Sequence, residues 1–146
     1  MQGKISDTEL HWLAGFIDGE GCFDWQKQCA KGLKADRWRP RFRIANCDVP
    51  TLAVVEQIMV DMEAGHHVSW RYPSNPKWSP SWSVEITGMK RLHRWLPKII
   101  SALRTKRAQA QIQLDFLNLR AAVNPANPYT QKEMELIKAL SGAKGH

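Results

Sequence analysis

The chain has 146 residues, of which 43% are hydrophobic, and carries a formal net charge of +7. This length suits one domain with its own core over residues 1–146 and argues against two. No apolar run approaches the length of a membrane span, so no membrane contact is expected. Three cysteines without a CxxC pair, and an N-terminus without a signal-peptide core, predict a reduced intracellular compartment.

The basic residues concentrate in two windows, residues 24–43 and residues 90–107. The first window contains only two acids, Asp24 and Asp36, and the second contains none. Such clustering indicates a surface for a polyanion and is unlike an evenly solvated charge distribution.

The first predicted elements are a helix followed by a hairpin. A capping box, SDTE, starts the helix at residues 6–9, and apolar residues then follow at helical spacing until Gly19 and Gly21 end it. Polar and apolar residues alternate over residues 22–28 and again over residues 37–46, which predicts two strands joined by a turn at residues 30–36.

The remaining elements repeat this order. Asp48 caps a helix that Gly65 stops, and two further strands follow at residues 66–72 and 81–87. Helical spacing returns over residues 89–103, where Pro97 kinks or restarts the helix. The last elements are a helix at 105–121, a linker at 124–128 and a capped C-terminal helix at about 130–140. The order αββαββα, with a core over residues 6–122, predicts an α+β fold in which two hairpins form one sheet backed by helices.

The two faces of this predicted sheet differ in chemistry. The apolar face, including the tryptophans Trp25, Trp38 and Trp82, is expected to be core. It would contain Phe23, Trp25, Trp38, Phe42, Ile44, Val68, Val84 and Ile86. The opposite, polar face would contain Asp24, Gln26, Gln28, Arg37, Arg39, Arg41, Arg43, Ser69, Arg71, Ser83 and Glu85.

Arginine, glutamine and acidic side chains match the donor and acceptor patterns of the DNA major groove. Four arginines on one strand face, with no acid between them on that strand, repel one another unless a polyanion neutralises them. This pattern favours double-stranded DNA as the partner, with a solvated sheet face as the alternative. A strand of ten residues covers about ten base pairs, so two copies would cover about twenty.

The stretch LAGFIDGEG, residues 13–21, resembles the signature of the LAGLIDADG homing endonucleases. Phe16 replaces Leu, Glu20 replaces Asp, and Gly19 stands where Ala is usual. The resemblance implies the αββαββα homing endonuclease fold. Since the chain carries one such motif, it also implies a homodimer that forms through this helix. The small-residue stripe predicts an interface of Leu13, Ala14, Gly15, Asp18 and Gly19.

The resemblance also implies the active site. Glu20 and the backbone carbonyl of Gly19 are expected to bind Mg²⁺ together with the partner copy and the scissile phosphates. Mn²⁺ is expected to substitute, and Ca²⁺ to support binding without efficient cleavage. Asn46 is expected to organise water around the metal, and Lys106 to stabilise the transition state or contact a phosphate. Arg71 is a weaker active-site candidate.

The function implied by the resemblance is that of a magnesium-dependent homing endonuclease, a DNA-binding nuclease of mobile introns or inteins. Such an enzyme hydrolyses both strands of a long pseudo-palindromic site and leaves short 3′ overhangs. Two alternatives remain open on the same scaffold: a maturase that binds intron RNA during splicing, and a DNA-binding regulator that does not cleave. The compartment would be a bacterial or archaeal cytoplasm, or an organelle.

Overall fold

The computed structural model describes residues 5–28 and 37–143, and it confirms an α+β fold. The predicted turn at residues 30–36 lies outside the described residues. The helices are α1 (Asp7–Glu20), α2 (Val49–Asp61), α3 (Met89–Ile99), α4 (Arg107–Ala121) and α5 (Gln131–Ala143). The strands are β1 (Gly21–Gln28), β2 (Arg37–Asn46), β3 (His67–Arg71) and β4 (Ser81–Thr87), and a short 3₁₀ helix, Ile100–Ala102, connects α3 to α4.

The four strands form one antiparallel sheet in the order β1-β2-β4-β3. Phe23 of β1 pairs with Phe42 of β2, which in turn pairs with Ile86 of β4. This register places the apolar residues of three strands on one face, because side chains alternate between the faces of a strand.

The helices cover this apolar face and form the core with it. Its central side chains, Phe23, Phe42, Ile44, Val84 and Ile86, are fully buried. The predicted core tryptophans Trp25, Trp38 and Trp82 are partly buried and pack against it. Val68 was predicted in the core but is 39% exposed: β3 is an edge strand, and Val68 lines an open cavity that separates it from α2.

The predicted capping box starts α1: the Ser6 hydroxyl accepts a hydrogen bond from the amide of Glu9 at 3.1 Å. At the other end, the chain passes from α1 into β1 without a loop. A Cβ at Gly21 would lie 2.9 Å from both the Cγ2 and the backbone oxygen of Ile17, and 3.1 Å from the ring of Phe42. Only glycine fits this junction without a shift of its neighbours.

Two helix ends differ from the predictions. Helix α2 ends at Asp61, four residues before Gly65, since Glu63 already adopts a left-handed backbone conformation with φ of 57°. Helix α3 runs through Pro97 without a restart and ends at Ile99, so the predicted helix over residues 89–103 is an α-helix followed by a 3₁₀ turn.

Helix α5 is fastened to the rest of the molecule by polar contacts. Arg120 of α4 and Glu133 of α5 form a buried ion pair at 3.2 Å. The indole Nε1 of Trp25 donates to the carbonyl of Ile137 at 3.1 Å, and the Tyr129 hydroxyl accepts from the amide of Trp38 at 2.9 Å. The ion pair joins α5 to α4, and the other two bonds join the C-terminal segment to the β1/β2 hairpin. Across the described residues, no helix has the combined length and apolar character that a membrane crossing requires.

Candidate active site and nucleic-acid interface

Glu20 lies at the junction of α1 and the sheet, where its exposed side chain opens onto the polar face. It lines a cavity of about 250 Å³. The strands supply the other walls: Cys22, Arg43, Ala45, Ser69, Arg71, Ser81, Ser83 and Glu85. A carboxylate therefore stands at one edge of a basic, hydroxyl-rich surface.

Two arginines share this cavity with Glu20. Arg71 was a weak active-site candidate, and Arg43 was predicted only as a base contact. Strand alternation gives the face of Arg43 but not its distance from α1, so the sequence could not place it beside Glu20. The second carboxylate of the cavity, Glu85, accepts from His67 at 2.9 Å.

Hydrogen bonds join the start of α4 to the end of α1. The Lys106 ammonium donates to the carbonyl of Ile17 at 3.2 Å and to the carbonyl of Gly21. A cation there suits the negative end of the helix dipole. Lys106 therefore binds the backbone on either side of Glu20, and its role in the reaction stays a prediction.

Asp18 also joins the end of α1 to the start of α4. Its carboxylate oxygens accept from the backbone amides of Arg104, at 2.9 Å, and Lys106, at 3.0 Å. Within the chain, the Asp18 carboxylate thus serves amides at the start of α4, whereas its predicted place at a partner helix stays a prediction.

Asn46 is not among the residues that line the Glu20 cavity. Its side-chain oxygen accepts from the amide of Asp48 at 2.8 Å and forms the turn that leads into α2. Alternation also places Asn46 on the same strand face as Ile44, opposite to Arg43. The predicted role at a metal-bound water is not supported by this position.

Helix α1 presents an open stripe on the side away from the core. Leu13 and Ala14 were predicted at a helix–helix interface but are buried in the chain's own core. Gly15 and Gly19 are exposed, and a Cβ at either would meet no atom within 4 Å. On this side, Trp12 is 42% exposed and stacks on Phe16 at 5.4 Å between ring centroids.

The polar face of the sheet carries most of the predicted base-contacting residues in exposed or half-buried positions. Two of its members behave differently. Asp24 is only 4% exposed, because its carboxylate is held by Arg41 at 2.9 and 2.8 Å and lies 3.5 Å from Arg43. Arg37 turns toward the C-terminal segment and donates to the carbonyls of Asn127 and Ala126. The prediction that Asp24 contacts a base directly therefore does not fit its buried position.

Acids from neighbouring strands interrupt the row of arginines that the sequence showed along β2. Asp24 pairs with Arg41 from β1, and Glu85 stands opposite Arg43 on β4. The hydrogen bond that Arg41 donates to the Asp24 carboxylate raises the pKa of Arg41 above its ordinary value. Part of the positive charge is thus compensated within the sheet itself.

A wider cavity of about 600 Å³ extends this face toward α3. It runs from Arg39 and Arg41 on β2 to Lys90 and Arg91 at the start of α3. These two cations belong to the basic window at residues 90–107, but nothing in the local pattern placed them beside β2.

Comparison with known proteins gives structural matches only: no family model matches the sequence, and no curated protein matches it. The homing endonuclease I-CvuI, in complex with its target in the presence of Ca, has a TM-score of 0.73 and 21% identity over 95% of this chain and 83% of its own. The archaeal intron-encoded homing endonuclease I-Vdi141I, complexed with DNA, has a TM-score of 0.73 and 15% identity over 96% and 87%.

A third structure, the LAGLIDADG homing endonuclease I-SmaMI bound to cleaved DNA, has a TM-score of 0.66 and 21% identity. It matches 95% of this chain but 43% of its own. The matches extend over both hairpins and the helices behind them. The chain therefore has the fold of the LAGLIDADG homing endonucleases, as the motif at residues 13–21 predicted.

Proposed function

We propose that this chain is a site-specific endonuclease that cleaves both strands of DNA as a homodimer. The observation that carries the proposal is the position of Glu20 between two surfaces. On one side lies the open stripe of Gly15 and Gly19, and on the other lies the polar face of the sheet. A carboxylate at this border would meet its symmetry mate and the DNA at the same place.

The homodimer is supported by the shape of α1. Two copies related by a two-fold axis would place the same stripe against itself. Because Gly15 and Gly19 carry no side chain, the two backbones could approach closely, with Trp12 available at the edge of the contact. The interior glycines of this helix, each costing about 1 kcal/mol relative to Ala, then have a purpose.

A divalent metal fits the donor set at this border. Glu20 adds a carboxylate to the carbonyl end of α1, including Gly19, where backbone oxygens lack helical partners. Mg²⁺ typically binds through one or two carboxylates plus substrate phosphates, so one Glu20 from each copy and the DNA would supply enough oxygens. When bound, the ion supplies charge neutralisation and an activated water; Mn²⁺ would substitute, and Ca²⁺ would support binding alone.

The residues around Glu20 supply positive charge for the scissile phosphate. Arg43 and Arg71 share the cavity with Glu20, and Lys106 is fixed at the end of α1. Preorganised cations stabilise the charge that develops on a phosphate oxygen without reorganising during the reaction. We assign charge stabilisation to these three residues and short 3′ overhangs to the products, the latter by resemblance to the family.

The polar sheet face would supply sequence recognition. Gln26, Arg39 and Arg41 face the wider cavity, where they can contact base edges, while Lys90 and Arg91 can contact phosphates. One chain would cover about ten base pairs and a dimer about twenty, as two imperfect inverted half-sites. Two proteins of this fold, I-CvuI with its target and I-Vdi141I with DNA, support DNA as the partner.

The decisive experiment compares wild type with Glu20→Gln on DNA. Duplexes bound from a random library in Ca²⁺ are sequenced, and Mg²⁺ is then added to each recovered site. We expect both proteins to select the same partly palindromic site and only the wild type to cut it. Glu135→Gln is the matched control, since it makes the same change at an exposed position on α5 and should cut normally.

Other outcomes favour other functions. A selected site that wild type never cuts would favour a DNA-binding regulator on this scaffold. If no DNA is selected, structured intron RNA becomes the ligand to test, as expected of a maturase. Cleavage by Glu20→Gln at the wild-type rate would contradict the assignment of Glu20.

A further inference from the structure

We propose that Asp24 is a positioning residue for DNA recognition: it fixes the guanidinium group of Arg41 so that this group meets a chosen base. This inference rests on the proposed function and concerns the specificity of the same surface. It replaces the prediction that Asp24 itself touches a base.

The hydrogen bonds between Asp24 and Arg41 form a fork. Its Oδ1 accepts from Arg41 Nε at 2.9 Å, and its Oδ2 accepts from Arg41 Nη2 at 2.8 Å. The same Oδ2 lies 3.5 Å from Nη2 of Arg43. With 6% of its side chain exposed, against 20% for Arg41 and 37% for Arg43, the carboxylate lies beneath the two arginines as seen from the surface.

The fork leaves the outer end of Arg41 available for DNA. A guanidinium has five N–H donors in fixed directions, and the fork uses one on Nε and one on Nη2. One hydrogen of Nη1 and the second hydrogen of Nη2 form the end-on pair at the tip of the guanidinium. That pair matches O6 and N7 of guanine, the commonest specific contact of arginine with a base. Because Asp24 already holds the side chain, less rotamer freedom is lost on binding.

The backbone of the same cross-strand pair is also held, from the opposite face of the sheet. Gln113 of α4 is fully buried, and its Nε2 donates to the carbonyls of Asp24, at 2.9 Å, and Arg41, at 3.0 Å. Asp24 and Arg41 face each other in the strand register. Side chains and backbone of this pair are therefore fixed together, which is what a recognition element needs.

Removing the negative charge of Asp24 should change DNA affinity and sequence discrimination in a way that misfolding would not. Without the carboxylate, Arg41 and Arg43 would be two like charges on one strand face, free to move toward any phosphate. Asp24→Asn should therefore keep or raise affinity for random DNA while it lowers discrimination between sequences. General damage to the fold would lower both.

The test uses the full chain and duplexes bound from a random library in Ca²⁺. Wild type, Asp24→Asn, Arg41→Gln and the Asp24→Asn/Arg41→Gln double variant are compared base pair by base pair. We expect Asp24→Asn to lose about tenfold in preference at the one or two base pairs per half-site where Arg41→Gln loses preference. The double variant should lose nothing further there. Asp61→Asn on α2, away from the sheet face, is the control and should keep the wild-type profile.

The failures of the two proposals are distinguishable. If wild type selects no sequence, the proposed function falls and this inference with it. If wild type selects a site and Asp24→Asn keeps the full profile, or changes base pairs that Arg41→Gln leaves unchanged, this inference alone is overturned. If Asp24→Asn does not fold, as judged by circular dichroism, the base-pair preferences of Asp24→Glu are measured in its place. Weaker preference at the Arg41-dependent base pairs supports the proposal, and unchanged preference there overturns it.

Discussion

Replacing Arg120 with Met tests the buried ion pair that fastens α5. The side chains of Arg120 and Glu133 are 4% and 2% exposed, and Arg120 also donates to the carbonyls of Pro125 and Asn127, each at 3.0 Å. Methionine keeps an unbranched apolar stem but supplies none of these donors. The Glu133 carboxylate would then remain buried without its cation.

The expected loss follows from that unpaired charge. Removing one partner of a buried ion pair costs about 3–5 kcal/mol in the free energy of unfolding. At about 2–4 °C per kcal/mol for a chain of this size, the melting temperature should fall by about 6–20 °C. Arg94→Met, at an exposed position on α3, is the control and should change the free energy of unfolding by less than about 0.5 kcal/mol.

The assay is thermal and urea unfolding followed by circular dichroism, at one fixed protein concentration because dimerisation would shift the apparent stability. The Arg120→Met/Glu133→Leu double variant should be more stable than Arg120→Met, since two apolar side chains leave no uncompensated charge. A residual loss of about 1 kcal/mol is expected because Glu133 also accepts from the amide of Thr130 at the start of α5. A double variant that loses the sum of the two single losses would refute this reasoning.

Three further predictions concern α1 and its surroundings. Gly21→Ala should lower the free energy of unfolding by about 1–3 kcal/mol in urea titrations, since its Cβ would clash with α1; wild-type stability would contradict the close packing. Gly15→Ala should stabilise the isolated chain by up to about 1 kcal/mol yet weaken association in sedimentation experiments, and unchanged association would exclude this stripe as the interface. Lys106→Ala should slow DNA cleavage more than it weakens binding, and equal losses would indicate plain phosphate contact.

Local patterns in the sequence were sufficient for most of the fold. The bounds of β2, Arg37–Asn46, agree with the prediction because ten alternating residues with one apolar face allow only one way of facing the core. The capping boxes at Ser6 and Thr130 were also predictable, because donor and acceptor lie three residues apart.

The candidate site was harder to predict because its contacts join distant parts of the chain. The side of α1 that faces the core depends on which elements cover it, so Leu13 and Ala14 were assigned to a partner. The burial of Asp24 depends on the register between β1 and β2, which no local pattern in either strand specifies. The hydrogen bonds from the amides of Arg104 and Lys106 to Asp18 join residues that are 86 and 88 positions apart in the sequence.

The Asp24–Arg41 fork also bears on how such a protein could acquire a new target. A substitution at Arg41 that suits a different base would take the bidentate cation away from the buried Asp24 carboxylate, which Arg43 approaches only to 3.5 Å. Loss of folding stability would then oppose the change before any benefit in recognition appeared. New targets would therefore be reached most easily by paired changes at positions 24 and 41, and libraries for retargeting should vary the two together.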